Sequence, residues 1–129
     1  MKKLLTLIDV TVIGMTSAFA ETTYNVEINL TTKQVTILQD GKVIQGKRNK
    51  EEVLATIQLS KNGLETIDCK LESFGGVSVP GIEPCEVKKD GSVSFYGISY
   101  NEPKVKTAFK EAMAYLGKSD KPIKVQIFK

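Results

Sequence analysis

The stretch Tyr24-Asn25-Val26-Glu27-Ile28-Asn29-Leu30 alternates apolar and polar side chains without a break. A period of two puts Tyr24, Val26, Ile28 and Leu30 on one face and Asn25, Glu27 and Asn29 on the other. That is the pattern of a strand with one buried and one wet side. A half-buried sheet is therefore the frame into which the rest of the chain must fit.

Moving C-terminally, short runs of the same kind are separated by turn residues. Gln34 to Gln39 and Lys42 to Gln45 flank Asp40-Gly41, a pair that predicts a two-residue hairpin. Lys61-Asn62-Gly63, read as a three-residue loop with Gly in the left-handed position, sets Leu59 opposite Glu65, Ile57 opposite Ile67, Ala55 opposite Cys69 and Val53 opposite Leu71. A two-residue loop would set Ile67 against Gln58 instead. Lys89-Asp90-Gly91, read the same way, pairs Val87 with Val93 and Cys85 with Phe95.

Residues 50–58 carry two signals. Asn49 followed by Glu52 resembles a helix capping box, with Val53, Leu54 and Ile57 on one helical face. Thr56, Ile57 and the register match favour a strand. A helical turn at 50–53 leading into a strand satisfies both.

Near the C-terminus, Val105, Ala108, Phe109, Ala112 and Leu116 follow the helical period. Pro103 suits the first turn, after Asn101 or Glu102, and Gly117 is placed to end the helix. Ile123, Val125 and Ile127 then alternate as a last strand. The expected fold is α+β: a mainly antiparallel sheet of about seven hairpin-linked strands, with one C-terminal amphipathic helix before the last strand covering one face.

Composition bounds the function. The chain has 129 residues, enough for one domain, and 41% are apolar. It contains no His, which removes Ser-His-Asp and Cys-His catalysis, His-ligated zinc and His proton shuttles. A net charge of +3 and a single Arg, Arg48, with little aromatic interleaving, argue against nucleic-acid recognition.

The first twenty residues read as a cleaved signal peptide. Lys2 and Lys3 form a basic start, Leu4 to Met15 an apolar run, and Ala18-Phe19-Ala20 puts small residues before a cut between Ala20 and Glu21. Asp9 is out of place in that run. The competing reading is an N-terminal strand or helix of a cytosolic domain. Export leaves a single small domain over residues 21–129 and a periplasmic or secreted location. No apolar run there is long enough to span a membrane as a helix.

Cys69 and Cys85 are the only thiols. An even count in an exported chain reads as one disulfide. There is no C-x-x-C, and two Cys without His do not complete a zinc site, so neither a metal nor another cofactor is expected.

Three regions are candidate sites. Ser73-Phe74-Gly75-Gly76-Val77-Ser78-Val79-Pro80-Gly81-Ile82-Glu83-Pro84 holds three Gly and two Pro, with Val77, Val79 and Ile82 as candidate contacts. Proline and the bridge would stiffen it, as a recognition or inhibitor loop requires. The plain alternative is a connection whose valines reach the core. Phe95, Tyr96 and Tyr100 cluster, and Gly97 suggests a bulge that turns Tyr96 outward; Tyr96 and Tyr100 could then serve an interface. The plain alternative is core and edge packing.

The third region is basic: Lys104, Lys106, Lys110, Lys118, Lys121, Lys124 and Lys129, more simply read as a solvated surface. Among the carboxylates Glu51, Glu52, Asp68 and Glu72, no spacing selects a catalytic pair. The expectation is a small exported binding module without enzymatic activity that meets a protein or envelope component. An inhibitor of an envelope enzyme is its concrete form. The alternatives are a structural or accessory envelope protein pairing through a sheet edge, disrupted by Pro at Val125, and a His-free hydrolase.

Overall fold

The computed structural model describes residues 22–62, 66–118 and 121–129. The expected signal segment, with its cut at Ala20 and Glu21, lies outside them. In chain order the elements are β1 (Tyr24–Asn29), β2 (Val35–Gln39), β3 (Lys42–Gln45), β4 (Val53–Asn62), β5 (Thr66–Phe74), β6 (Cys85–Val87), β7 (Val93–Phe95), β8 (Ile98–Tyr100), α1 (Pro103–Met113) and β9 (Ile123–Phe128). The fold is α+β and mainly antiparallel. The strands divide between a six-stranded sheet, ordered β3-β2-β1-β9-β4-β5, and a three-stranded sheet, β6-β7-β8.

The last strand occupies the middle of the large sheet. β9 runs parallel to β1, with Val125 beside Val26, and antiparallel to β4, with Val125 beside Ile57. Ile123, Val125 and Ile127 are fully buried, together with Val26, Ile28, Ile57 and Leu59. The helix contributes Val105, Ala108, Phe109 and Ala112 to the same core. Complete burial of Phe109 alone is worth roughly 2–3 kcal/mol of transfer free energy. The terminal strand is thus not a free pairing edge. The outer strands of the large sheet are β3 and β5.

Turn chemistry sets two registers as expected. Asp40 and Gly41 both take positive φ (51° and 84°), and Gln39 pairs with Lys42 across a two-residue turn. Val87 pairs with Val93 and Cys85 with Phe95. Gly91 closes that loop at φ 92°, and a Cβ there would collide with the Lys106 carbonyl of α1. Only glycine satisfies both the left-handed backbone and this close approach.

Four local expectations are corrected. In the β4–β5 hairpin, Leu59 pairs with Cys69 and Ile57 with Leu71, and the strands continue to Asn62 opposite Thr66. From Ile57 to Asn62 the expected register is displaced by four residues, which keeps each side chain on its face while changing its partner, and a bulge between Thr56 and Ile57 then sets Ala55 opposite Phe74. Residues 50–53 form no helical turn: the chain bends at Glu51 and β4 begins at Val53. The helix ends at Met113, and Gly117 sits in the turns that follow, outside the positive-φ region. Gly97 is not a bulge. With Tyr96 it forms a two-residue turn (φ 48° and 84°) that pairs Phe95 with Ile98.

Asp90 organises the β6–β7 loop. Its carboxylate accepts the Ser92 amide hydrogen at 2.9 Å and faces the Lys106 ammonium at 3.5 Å. Hydrogen bonds from Ser92, then the Lys106 charge, hold its pKa down at about 2. A folded-state pKa below the unfolded value makes the ionised group stabilising above about pH 4, and that contribution is lost as pH falls toward 2. The carboxyl carbon shift of Asp90 should titrate with a midpoint near 2 in the folded protein. Asp90→Asn should flatten the acid limb of the stability curve; an unchanged limb would contradict this assignment.

Candidate functional site

The two sheets are joined by a covalent bond and by an aromatic seam. Cys69 on β5 and Cys85 on β6 form the disulfide, with their Cα atoms 5.7 Å apart. The Phe74 ring lies 5.4 Å from Phe95 and 5.6 Å from Tyr96, and Phe95 lies 5.9 Å from Tyr100. An open groove beside the bridge is lined by Ile67, Cys69, Lys70, Glu83 and Glu86. Reduction should lower the unfolding free energy by about 3 kcal/mol, the chain-entropy value for a loop of this size. Urea melts with and without dithiol would check this, and superimposable melts would refute it.

Loop 75–84 crosses this junction and is tied down at both ends. The Gly75 amide donates to the Leu54 carbonyl at 2.6 Å, and Gly76 lies against the Phe74 ring. At the other end, the Tyr96 amide donates to the Pro84 carbonyl at 3.2 Å, next to the disulfide at Cys85. Between these ties, Val79-Pro80-Gly81-Ile82 makes a turn closed by the Ile82 amide on the Val79 carbonyl at 3.3 Å. Pro80 presets the first turn position, and Gly81 supplies φ 83° at the second.

The apolar side chains of the loop stay outside the core. Val77 is 75% exposed, Val79 38% and Ile82 43%. Ile82 lies beside Gly97 of the β7–β8 turn, next to Ile98, which is 54% exposed. The loop and the turn thus meet at Ile82 and Gly97, each carrying exposed apolar side chains. Tyr96 holds a left-handed backbone that side chains other than Gly, Asn and Asp rarely adopt. Such strain clusters at functional positions. Tyr100 belongs elsewhere: it pairs with Val93 on β8 and packs against Phe95 and the core. The two tyrosines do not form an exposed pair.

Alternation along β1 gave no sign of a second polar arrangement. Glu27 and Asn29, expected on the wet face, are 2% and 3% exposed. Residues 46–51 cross over them as a strap. The Glu27 carboxylate accepts from Arg48 Nε at 2.7 Å, from the Asn49 amide at 3.0 Å and from Asn49 Nδ2 at 3.1 Å. Asn29 Nδ2 donates to Asn49 Oδ1 at 3.0 Å and to Glu51 Oε1 at 3.1 Å, while its Oδ1 accepts the Thr31 and Thr32 amides. Thr36 donates to the Lys47 carbonyl. Asn49, read as a possible helix cap, serves this network instead. Each carboxylate oxygen of Glu27 is hydrogen-bonded, so the group is engaged in holding the strap.

Three of the basic C-terminal residues are engaged locally. Lys106 meets Asp90, Lys124 lies 3.8 Å from Glu72, and Lys118 sits over the Tyr115 ring. Glu72 also accepts from Gln58, and Asp68 stands opposite Ser60 on β5. Among the described residues, no group of three or more Cys, Asp or Glu is arranged to hold a metal ion, and no helix is long and apolar enough to cross a membrane. No protein-family model, curated protein or solved structure matches this chain.

Proposed function

We propose that this chain is a small exported binding module that meets a protein partner through loop 75–84 and the Tyr96-Gly97 turn. The observation carrying this reading is the exposure of Val77, Val79 and Ile82 on a loop tied at both ends, with Ile82 against the turn that leads into exposed Ile98. Apolar side chains fixed in place before association lose little freedom on binding. Valine and isoleucine carry no titratable group and supply contact area, which favours recognition over catalysis. The disulfide and the signal-like N-terminus support a periplasmic or secreted location, where an inhibitor of an envelope enzyme would act.

Val77→Ala, Val79→Ala and Ile82→Ala should each leave stability within about 0.5 kcal/mol of wild type. Each should weaken partner retention by about 1–3 kcal/mol. The check is a melt of each variant beside its retention of a partner from solubilised envelope. Variants that melt early would return the loop to the core and end this reading.

A second reading, pairing through a sheet edge, is favoured by one observation: β3 is an outer strand with Val43 and Ile44 exposed. Its register shift between Ile37 and Leu38, however, marks a bulge of the kind that blunts edges. Ile44→Lys should abolish association in that case and leave it unchanged in ours.

A further inference from the structure

The segment Val77-Ser78-Val79 has a second property besides its exposed side chains. It runs without turn or bend between the bend at Gly75-Gly76 and the turn at Pro80-Gly81. Among the described residues, no backbone hydrogen bond of the loops uses the amide or carbonyl of Val77 or Ser78. An unbent segment with unpaired backbone groups can complete a ladder with a facing strand. In such a segment Val77 and Val79 project to one side and Ser78 to the other.

From Ser73 to Ile82 the sequence has no charged residue, so no charge must be desolvated when this stretch is enclosed. The ties at Gly75 and Cys85 fix the ends, and the Pro80-Gly81 turn sets the exit direction. The segment therefore presents an unbent, uncharged stretch whose backbone groups are open to a facing strand.

We infer that Val77–Val79 occupies the extended-peptide cleft of an endopeptidase whose primary pocket takes a small aliphatic side chain, with Val77 as the residue in that pocket. The inference rests on the binding-module reading and gives its partner a chemistry. The loop pairs through its backbone and fills the pocket with the valine. It blocks turnover because both ends remain attached to a folded body.

The test uses the full, oxidised mature chain against three serine endopeptidases: elastase with its small pocket, chymotrypsin with its hydrophobic slot and trypsin with its acidic pocket. Wild type should inhibit elastase competitively and resist cleavage, with inhibition of trypsin weaker by about 100-fold or more. Val77→Lys should reverse that order, and Ile44→Lys on β3 should change nothing. Circular dichroism confirms that each variant is folded.

Failure of the folded wild type to inhibit elastase, or rapid cleavage between residues 77 and 79, would overturn the inference. So would inhibition that Val77→Lys leaves unaltered. A photo-crosslinker at Val77 that still captures a non-peptidase partner would sink the peptidase assignment alone. Absence of both inhibition and a Val77 adduct would sink the binding reading with it.

Discussion

Replacing Val125 with proline should abolish the native fold. Val125 is fully buried, and β9 lies between β1 and β4, so its ladders hold the two halves of the large sheet together. Proline removes a ladder donor from a central strand, a position where it is essentially never found. Most of the buried valine contact disappears as well. Against a total stability of roughly 5–15 kcal/mol, breaking the ladder that joins the two halves of the large sheet removes a large fraction of the total. Ile44→Pro, on an outer strand at the bulge, should be far milder. Far-UV circular dichroism and urea melts compare the two directly. A cooperative Val125→Pro melt at the wild-type midpoint would contradict the central placement of β9.

The second large effect is at Glu27. Glu27→Ala removes an acceptor that serves Arg48, the Asn49 amide and the Asn49 side chain at once. Donors that lose a charged acceptor in a buried site cost more than the average hydrogen bond returns. The expected loss is about 3 kcal/mol, with faster amide exchange across residues 46–51 as the strap lifts. Glu27→Gln keeps the volume and one acceptor and should cost roughly half as much. A Glu27→Ala variant within about 0.5 kcal/mol of wild type would mean that the strap is held by other contacts.

These two positions also show where sequence reading reaches and where it stops. Asp40-Gly41 and Lys89-Asp90-Gly91 set their registers because turn residues fix backbone dihedrals locally, and local chemistry is legible. The helix face was legible for a similar reason, since its period repeats within one segment. The β4–β5 register was not: alternation determines which face a residue occupies, and any even displacement satisfies it. Tyr96-Gly97 lacks the Asn-Gly or Asp-Gly signature, so the pattern suggests a bulge where the chain makes a turn.

Glu27 and Asn29 alternate correctly, yet they are covered by residues about twenty positions away. Nothing in the pattern of β1 can report that. Likewise, alternation at Ile123, Val125 and Ile127 reads as a half-buried strand whether the strand is central or outer. The parallel pairing of β9 with β1 joins the two ends of the domain and leaves no short-range trace. In the candidate site, the loop and its valines were legible from composition. The meeting of Ile82 with Gly97, and the exposure of Ile98, depended on two sheets that the sequence did not separate. Tyr100, expected at the surface beside Tyr96, was drawn inward because β8 sets it opposite Val93.

The most direct test of the proposed function is site-specific photo-crosslinking in cells that produce the protein natively. Probes would replace Val77, Ile82 or Ile98 on the proposed surface and Ile44 on β3. The account predicts one common adduct from Val77, Ile82 and Ile98, lost on reduction of the Cys69–Cys85 bond, and none from Ile44. An adduct from Ile44 alone, or no adduct from any of the three surface positions in the folded, oxidised protein, would contradict it.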